Sequence, residues 1–287
     1  LHNCLSEKKN QNQKAMEMYE KALSEYMKEN APLGLGNIYR NIGEIYFNTG
    51  ENQKALEMAE KALPYHQKLN APLALGNLYA FEGDIYFYLN DYQKAMDMQE
   101  KALQYFIKAG EPVGQGNSTR VKGDLFCKMG ENQKAIEMYD KALPLLQKAK
   151  AAVALGNLYR SKGDLIAIAG DKQNAIEMYD EAFKYFNKGG YIANQASTLF
   201  KKANLMDDKI IQADLYRNAV QLIEKIRSNT GFSESKKAYM QSIYSDYENA
   251  ALFMLNNKFK DESFKFVEGL KARTFLDLLV EGKADLG

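Results

Sequence analysis

Apolar and small residues recur along the first two-thirds of the chain at the three- and four-residue spacing of amphipathic helices. The stretch from Leu73 to Ala95, LALGNLYAFEGDIYFYLNDYQKA, shows this pattern clearly. Closely similar stretches begin at positions 33, 113 and 153, so the pattern repeats every 40 residues. A fixed period of this size predicts an all-α solenoid, in which each unit buries its apolar face against its neighbours.

Each unit divides into two helices at residues that begin or end helices. Proline at positions 32, 72 and 112 suits the first turn of a helix, where the missing N–H costs nothing. Gly50, Asn90, Gly130 and Gly170 tolerate the left-handed conformation that ends a helix. The second helix then begins after an acidic residue and ends near positions 70, 110 and 150. Pro64 and Pro144 fall inside it, and we expect a continuous helix that is kinked in those two repeats by the loss of one backbone bond.

Two glycines per unit interrupt the apolar faces, at the positions of Gly76 and Gly83. Each costs a helix about 1 kcal/mol relative to alanine, so its retention in four units needs a packing reason. We expect Gly83 to face Ala95 on the second helix, so that the two backbones approach closely. Tyr79, Tyr86 and Leu103 are predicted to fill the space beside them.

These residues resemble the tetratricopeptide repeat. The order Tyr79, Gly83, Tyr86, Ala95, Ala102 matches its pattern, with tyrosine at the usual tryptophan position. The match recurs over residues 31–190, and residues 11–30 look like the second helix of an earlier repeat. The resemblance implies a right-handed superhelix of antiparallel hairpins that docks peptides or proteins. The 40-residue length is similar to the repeats of polarity adaptors, kinesin light chains and bacterial peptide-sensing regulators.

The pattern loosens after Gly190, which predicts a repeat array over 1–190 and a degenerate hairpin with a capping helix pair over 191–287. Ala203 there replaces the glycine, and residues 227–235 form a polar connector. The segment KARTFLDLL at 271–279 resembles the junction between tetratricopeptide arrays and the caspase-like peptidase domain of CHAT proteins. That resemblance implies a peptidase domain beyond Gly287. The alternative is a plain amphipathic capping helix.

Composition narrows the function classes. The net charge is +1, with acidic and basic residues evenly distributed, so we expect no nucleic-acid or membrane partner. Two cysteines make no disulfide framework, and a reducing cytoplasmic location is expected. No apolar run reaches the length of a membrane span.

The chain offers little for catalysis. The cysteines are Cys4 and Cys127 and the histidines His2 and His66, and their predicted helices keep Cys127 and His66 too far apart for a nucleophile–base pair. We expect His66 to be solvated or half-packed and Cys127 to be a small apolar filler. No metal-site spacing exists, and the glycine-rich stretches lack the strand and the lysine of phosphate loops. The chain is therefore predicted to be non-catalytic, without metal or cofactor.

The resemblance places the first helices on a concave binding face. Helical spacing puts an asparagine, an arginine and an acid on one side of these helices, as in Asn37, Arg40 and Glu44. The predicted partner-binding residues are Asn37, Arg40, Asn77, Phe87, Tyr88, Asn117, Arg120, Asn157 and Arg160.

Two alternatives stand beside that surface. The arginines and acids four residues apart can neutralise each other, with the asparagines bracing neighbouring helices. The aromatic residues Phe47, Phe87 and Tyr88 either anchor an apolar ligand side chain or pack against the next hairpin. Three functions remain: a sensor of a CHAT-type peptidase, a free-standing adaptor or oligomerisation module, and, less favoured, an enzyme.

Overall fold

The computed structural model describes residues 2–229, 244–257, 259 and 266, with side chains from residue 15 onward except 227–229 and 244. Within these residues the backbone is helical apart from short turns, and no strand occurs. The helices are α1 (His2–Lys28), α2 (Pro32–Asn48), α3 (Asn52–Lys68), α4 (Pro72–Tyr88), α5 (Tyr92–Ala109), α6 (Pro112–Lys128), α7 (Asn132–Lys148), α8 (Ala152–Ile168), α9 (Lys172–Lys188), α10 (Ile192–Ala203), α11 (Lys209–Asn229) and α12 (Tyr244–Asn256). The predicted all-α class is confirmed for this part of the chain.

The chain divides into two compact units. The first unit comprises Lys14–Ala169, and in it α2 pairs with α3, α4 with α5 and α6 with α7. The second unit comprises Gly170–Gly287 together with Leu1–Gln13, and in it α10 pairs with α11. The predicted division after Gly190 stays a prediction.

Helix ends follow the residues that predicted them. α2, α4 and α6 each begin at proline. The residues that follow the first helices have positive φ, including Asn90 at 59° and Gly130 at 79°, as a left-handed helix end requires. α3 and α7 run without a break through Pro64 and Pro144. The predicted helix boundaries are confirmed.

The second glycine of each unit brings the two helices of its hairpin together, as predicted. A Cβ placed on Gly43 would lie 3.2 Å from the carbonyl oxygen of Ala55, the alanine at the predicted position. A Cβ placed on Gly83 would lie 2.7 Å from Gln99 Nε2, and one on Gly123 would lie 2.5 Å from Tyr139 Cε1. In the second and third repeats, the side chain nearest the glycine thus belongs to the residue four positions after the predicted alanine, one helical turn along α5 and α7. The predicted placement of Tyr79, Tyr86 and Leu103 beside the glycine stays a prediction.

The other glycine of each unit receives a large side chain from late in the second helix. A Cβ on Gly76 would lie 2.8 Å from Phe106 Cδ1, and one on Gly36 would lie 2.5 Å from His66 Cε1. The expectation that His66 is solvated or half-packed is wrong, because its side chain is 0% exposed. His66 occupies the core position that Phe106 fills in the next repeat.

The second unit has its own apolar core. Phe200 of α10, Tyr216 of α11 and Met254 of α12 are buried together, and Phe266 joins them against Tyr247. Ala203 stands where the earlier units have glycine and is itself fully buried. The connector at 227–235 and the CHAT-like segment at 271–279 lie outside the side chains that the structure describes.

Candidate functional site

The predicted binding residues lie on neighbouring helices of the first unit. α2 contacts α4, α4 contacts α6, and α6 contacts α8, so the first helices of successive repeats are side by side. Each carries an asparagine, a residue three positions later and an acid four positions after that, which together we call the polar row. Its members are Asn37, Arg40, Glu44, Asn77, Ala80, Asp84, Asn117, Arg120, Asp124, Asn157, Arg160 and Asp164.

Exposure falls along the polar row. Asn37 and Asn77 are exposed, whereas Asn117 and Asn157 are half-buried. A side-chain amide offers two donors and two acceptors, enough to bond the backbone of an extended chain without reading its sequence. The two exposed amides are therefore the most accessible bonding groups of the row for a docked segment.

The arginines of the row interact with polar side chains of their own helices. Arg40 Nη1 lies 2.5 Å from Glu44 Oε1, and Arg120 is bonded to Asp124 in the same way. Arg160 donates to Asn157 Oδ1 at 3.0 Å. Pairs of this kind contribute a few tenths of a kcal/mol when exposed. The arginines and acids thus do neutralise one another in the first and third repeats, as the first alternative expected.

A buried tyrosine extends the row in the third repeat. Tyr139 Oη donates to Asp124 Oδ1 at 2.8 Å and lies 3.3 Å from Cys127 Sγ. Burial and the neighbouring Asp124 charge raise the pKa of Tyr139, and burial raises the pKa of the Cys127 thiol. The thiol is thus held in its protonated form, in contact with a hydroxyl. This polar contact was not expected of an apolar filler.

The second repeat departs from the row, because Ala80 replaces the arginine. Within the described residues, no basic side chain lies at ion-pair distance from Asp84. Its near neighbour is Gln99, whose Nε2 is 3.4 Å from Asp84 Oδ1 and 3.3 Å from the Ala80 carbonyl oxygen.

Asp84 is exposed to solvent, yet surrounding protein atoms still affect its titration. Desolvation raises the pKa of its carboxyl to about 6, against the opposing charge of Arg120 and together with that of Asp124. The carboxylate therefore accepts a hydrogen bond from Gln99 and feels the charge of Arg120 in the next repeat, but it forms no ion pair within its own helix.

The aromatic residues split between the two predicted roles. Phe47 is half-buried and packs edge-on against Phe81 at 6.0 Å and against Tyr88 at 5.8 Å between ring centroids. Phe87 is half-buried and lies 6.0 Å from Tyr92. Only Tyr88 is widely exposed, at 65%. Phe47 thus packs against the next hairpin, whereas Phe87 contacts a ring of its own hairpin, and Tyr88 offers the most exposed of the three rings.

Two residues of this site were not predicted from the sequence. Gln99 and Tyr139 stand on second helices, at the same position of successive repeats, and each reaches the acid of its own first helix. The sequence did hold a signal, at the repeat position that faces the glycine. This position is alanine at 59, glutamine at 99 and tyrosine at 139.

Among the described residues, no group of three His, Cys, Asp or Glu side chains is placed to hold a metal ion. None of the helices described here is long and apolar enough to cross a bilayer. Cys127 contacts Tyr139, and His66 packs at Gly36 two repeats earlier. The polar row offers a ligand hydrogen bonding and charge pairing.

Comparison with known proteins agrees with this fold. A family model for the tetratricopeptide repeat matches residues 34–108, which span α2 to α5. No curated protein sequence matches the chain. The tetratricopeptide resemblance is thus supported over the first two of the 40-residue repeats.

Solved structures share the fold at low sequence identity. Aspartyl phosphate phosphatase F from Bacillus subtilis superposes with a TM-score of 0.66 at 14% identity, covering 95% of this chain and 67% of its own. A signal-transduction ATPase with a tetratricopeptide repeat sensor, from Pyrococcus horikoshii, gives 0.61 at 16%, covering 91% of this chain and 40% of its own. The Rap conjugation gene regulator of plasmid pLS20, in complex with the Phr* peptide, gives 0.60 at 14%, covering 91% and 72%.

Proposed function

We propose that this chain is a non-catalytic scaffold that docks an extended peptide or protein segment along the polar row. The observation that carries the proposal is the row itself, because hydrogen-bonding side chains continue across four adjacent first helices. The exposed amides of Asn37 and Asn77 supply paired donors and acceptors at a 40-residue repeat. An extended backbone presents the same alternation of donors and acceptors.

The solved neighbours support a peptide as the kind of ligand. The pLS20 Rap regulator was determined with the Phr* peptide bound, and its fold extends over 91% of this chain. Its identity of 14% leaves open which residues such a ligand would touch here. The polar row supplies the candidate contacts, proposed from the chemistry of this chain alone.

The test is a selection of binding peptides followed by a matched pair of triple variants. Peptides are selected from a random library displayed on phage and are then measured by isothermal titration calorimetry. The first variant changes Asn37, Asn77 and Asn117 to alanine, and the control changes Gln53, Gln93 and Gln133, exposed amides of the second helices at the same period, to alanine.

Docking on the row predicts that the asparagine variant loses roughly tenfold or more in affinity, since three neutral hydrogen bonds contribute about 0.5–1.5 kcal/mol each. The glutamine variant keeps wild-type affinity. Equal affinity of both variants, with both still folded by circular dichroism, contradicts docking on the row.

We further propose, from the segment at 271–279, that docking regulates a caspase-like peptidase encoded downstream. The likeness of KARTFLDLL to the CHAT junction supports this finer proposal. Sequencing the parent reading frame past Gly287 tests it. A strand-rich domain with a histidine and a later cysteine is the expected result, whereas a stop codon within a few residues contradicts it and leaves an adaptor or an oligomerisation module.

A further inference from the structure

The polar row has one gap, in the second repeat. Arginine stands three residues after the asparagine in the first, third and fourth repeats, and alanine stands there in the second. The acid of the row is nevertheless retained as Asp84. The chain thus keeps an anionic acceptor while removing the cation that would neutralise it from its own helix.

A second, buried acceptor points to the same place. Gln99 is 1% exposed, and its Nε2 contacts the Ala80 carbonyl oxygen and Asp84 Oδ1. Because both of those atoms are acceptors, the NH₂ side of the amide must face them. Its Oε1, on the same amide head, is buried without a hydrogen-bond partner. Because a buried acceptor without a partner destabilises the fold, a donor supplied from outside would be stabilised here.

The glycine opposite makes this position of Gln99 sterically feasible. A Cβ on Gly83 would lie 2.7 Å from Gln99 Nε2, so any other residue would displace the amide from Ala80 and Asp84. The site is therefore built from three helical positions, Ala80, Gly83 and Asp84, and one side chain of the facing helix.

We propose that Ala80, Asp84 and Gln99 form a notch that binds a basic side chain of the docked peptide, arginine in preference to lysine. This inference rests on the docking function proposed above. A guanidinium has five N–H donors and no acceptor, which matches a carboxylate beside an amide oxygen. The ligand's arginine would take the place that Arg40 and Arg120 occupy in their own repeats.

Tyr88 favours the same ligand. It lies four residues after Asp84 on α4, so both side chains belong to one face of the helix, and its ring is 65% exposed. An aromatic face beside a carboxylate binds a cation by two complementary interactions. The Asp84 carboxylate and the exposed Tyr88 ring therefore both favour binding of a basic group.

The test uses peptides selected on phage against the whole chain, as above. Their sequences are first scored for arginine and lysine. A selected peptide is then synthesised with its arginine and with citrulline, an uncharged isostere, and both are titrated into wild type and into Asp84→Asn. Asp97→Asn, an exposed acid on the outer helix of the same hairpin, is the control.

A notch for arginine predicts about tenfold weaker binding of the citrulline peptide to wild type and to Asp97→Asn, as expected for loss of a hydrogen bond between charged groups. On Asp84→Asn the two peptides bind equally, because the coupling is absent. In addition, Ala80→Arg supplies the missing arginine from the chain itself, and it should weaken binding of the arginine peptide by a similar factor. Gln93→Arg adds the same charge on α5 and leaves binding unchanged.

The outcomes separate this inference from the function beneath it. Two results overturn the notch and leave docking intact. In the first, the selected peptides bind through the asparagines but carry no basic residue. In the second, citrulline weakens peptide binding to Asp84→Asn as much as it weakens binding to wild type. A library that yields no binding peptide contradicts docking, and the notch falls with it.

Discussion

Replacing His66 by phenylalanine should stabilise the protein, although it removes a polar residue from its core. The His66 ring is fully buried against Gly36, and neither Nδ1 nor Nε2 has a hydrogen-bond partner. Phe106 and Phe186, at the equivalent positions of later repeats, are 4% and 0% exposed. Phe106 lies against Gly76 as His66 lies against Gly36. The fold therefore already accommodates phenylalanine in this geometry.

The expected gain follows from the unpaired nitrogens. A buried polar group without a partner costs about 1–3 kcal/mol, and His66→Phe removes the cost of the imidazole donor and acceptor while adding apolar burial. Some of the gain is offset by the larger ring, since overpacking costs up to about 1–3 kcal/mol. We expect the free energy of unfolding to rise by about 1–2 kcal/mol, and the reverse change, Phe106→His, to lower it.

The pH dependence gives an independent check. Desolvation, with the nearby Arg40 charge, lowers the pKa of His66 in the folded protein. Below about pH 6.5 the unfolded chain binds a proton at this site that the folded protein does not, so wild type loses stability as the pH falls through that range. His66→Phe lacks this loss. Its advantage over wild type should therefore be larger at pH 5.5 than at pH 7.5.

Urea unfolding followed by circular dichroism at the two pH values measures both effects. A variant that is less stable than wild type by 1 kcal/mol or more, with no change of the difference between pH 7.5 and 5.5, refutes the reasoning. It would mean that the His66 nitrogens are paired, for example through a buried water, and that the ring is a structural polar group.

Three further outcomes follow from the contacts of the first unit. Gly116→Ala should lower the free energy of unfolding by about 1–2 kcal/mol, because overpacking against Leu146 outweighs the gain in helix propensity; a more stable variant in urea unfolding would show that the close approach is not needed. Asp91→Ala should lower the thermal midpoint by removing the acceptor for Lys94 N–H at the start of α5, and an unchanged midpoint would contradict the cap. A basic peptide should bind about tenfold more weakly at pH 5 than at pH 7.5, because the pKa of Asp84 is about 6 with Arg120 and Asp124 facing it; calorimetry on Asp84→Asn should show no such change.

The helix boundaries were predictable because they depend on local backbone requirements. Proline fits a first turn, and glycine or asparagine fits a residue with positive φ, whatever lies elsewhere in the fold. Asn90, at φ 59°, shows the rule holding when the glycine is replaced. The same reasoning found the close helix approach, since a glycine retained inside a helix indicates a neighbour.

The facing residues were not predictable, because they depend on how one helix is rotated against another. The side chain nearest Gly83 belongs to Gln99, one helical turn beyond Ala95, and the repeat period does not show which side chain reaches the glycine. His66 was misjudged for the same reason. Its residue type suggested solvent, while its position in the repeat, shared with Phe106 and Leu146, indicated the core.

The candidate site was partly predictable. Helical spacing placed the asparagines, arginines and acids of the row on one face, and the alternation from arginine to Ala80 was visible in the sequence. The meaning of that change depends on the Gln99 amide at Ala80 and Asp84, which only the packing of α4 against α5 provides. The ring contacts of Phe47 with Phe81 and of Phe87 with Tyr92 likewise depend on the packing of the helices and were not visible in the sequence.

A crystal structure of the chain with a selected peptide tests the central claim most directly. The account predicts an extended peptide along α2, α4 and α6, bonded to Asn37 and Asn77, with a basic side chain at Asp84. A peptide bound instead on the outer surfaces of α3, α5 and α7, away from the polar row, would contradict it.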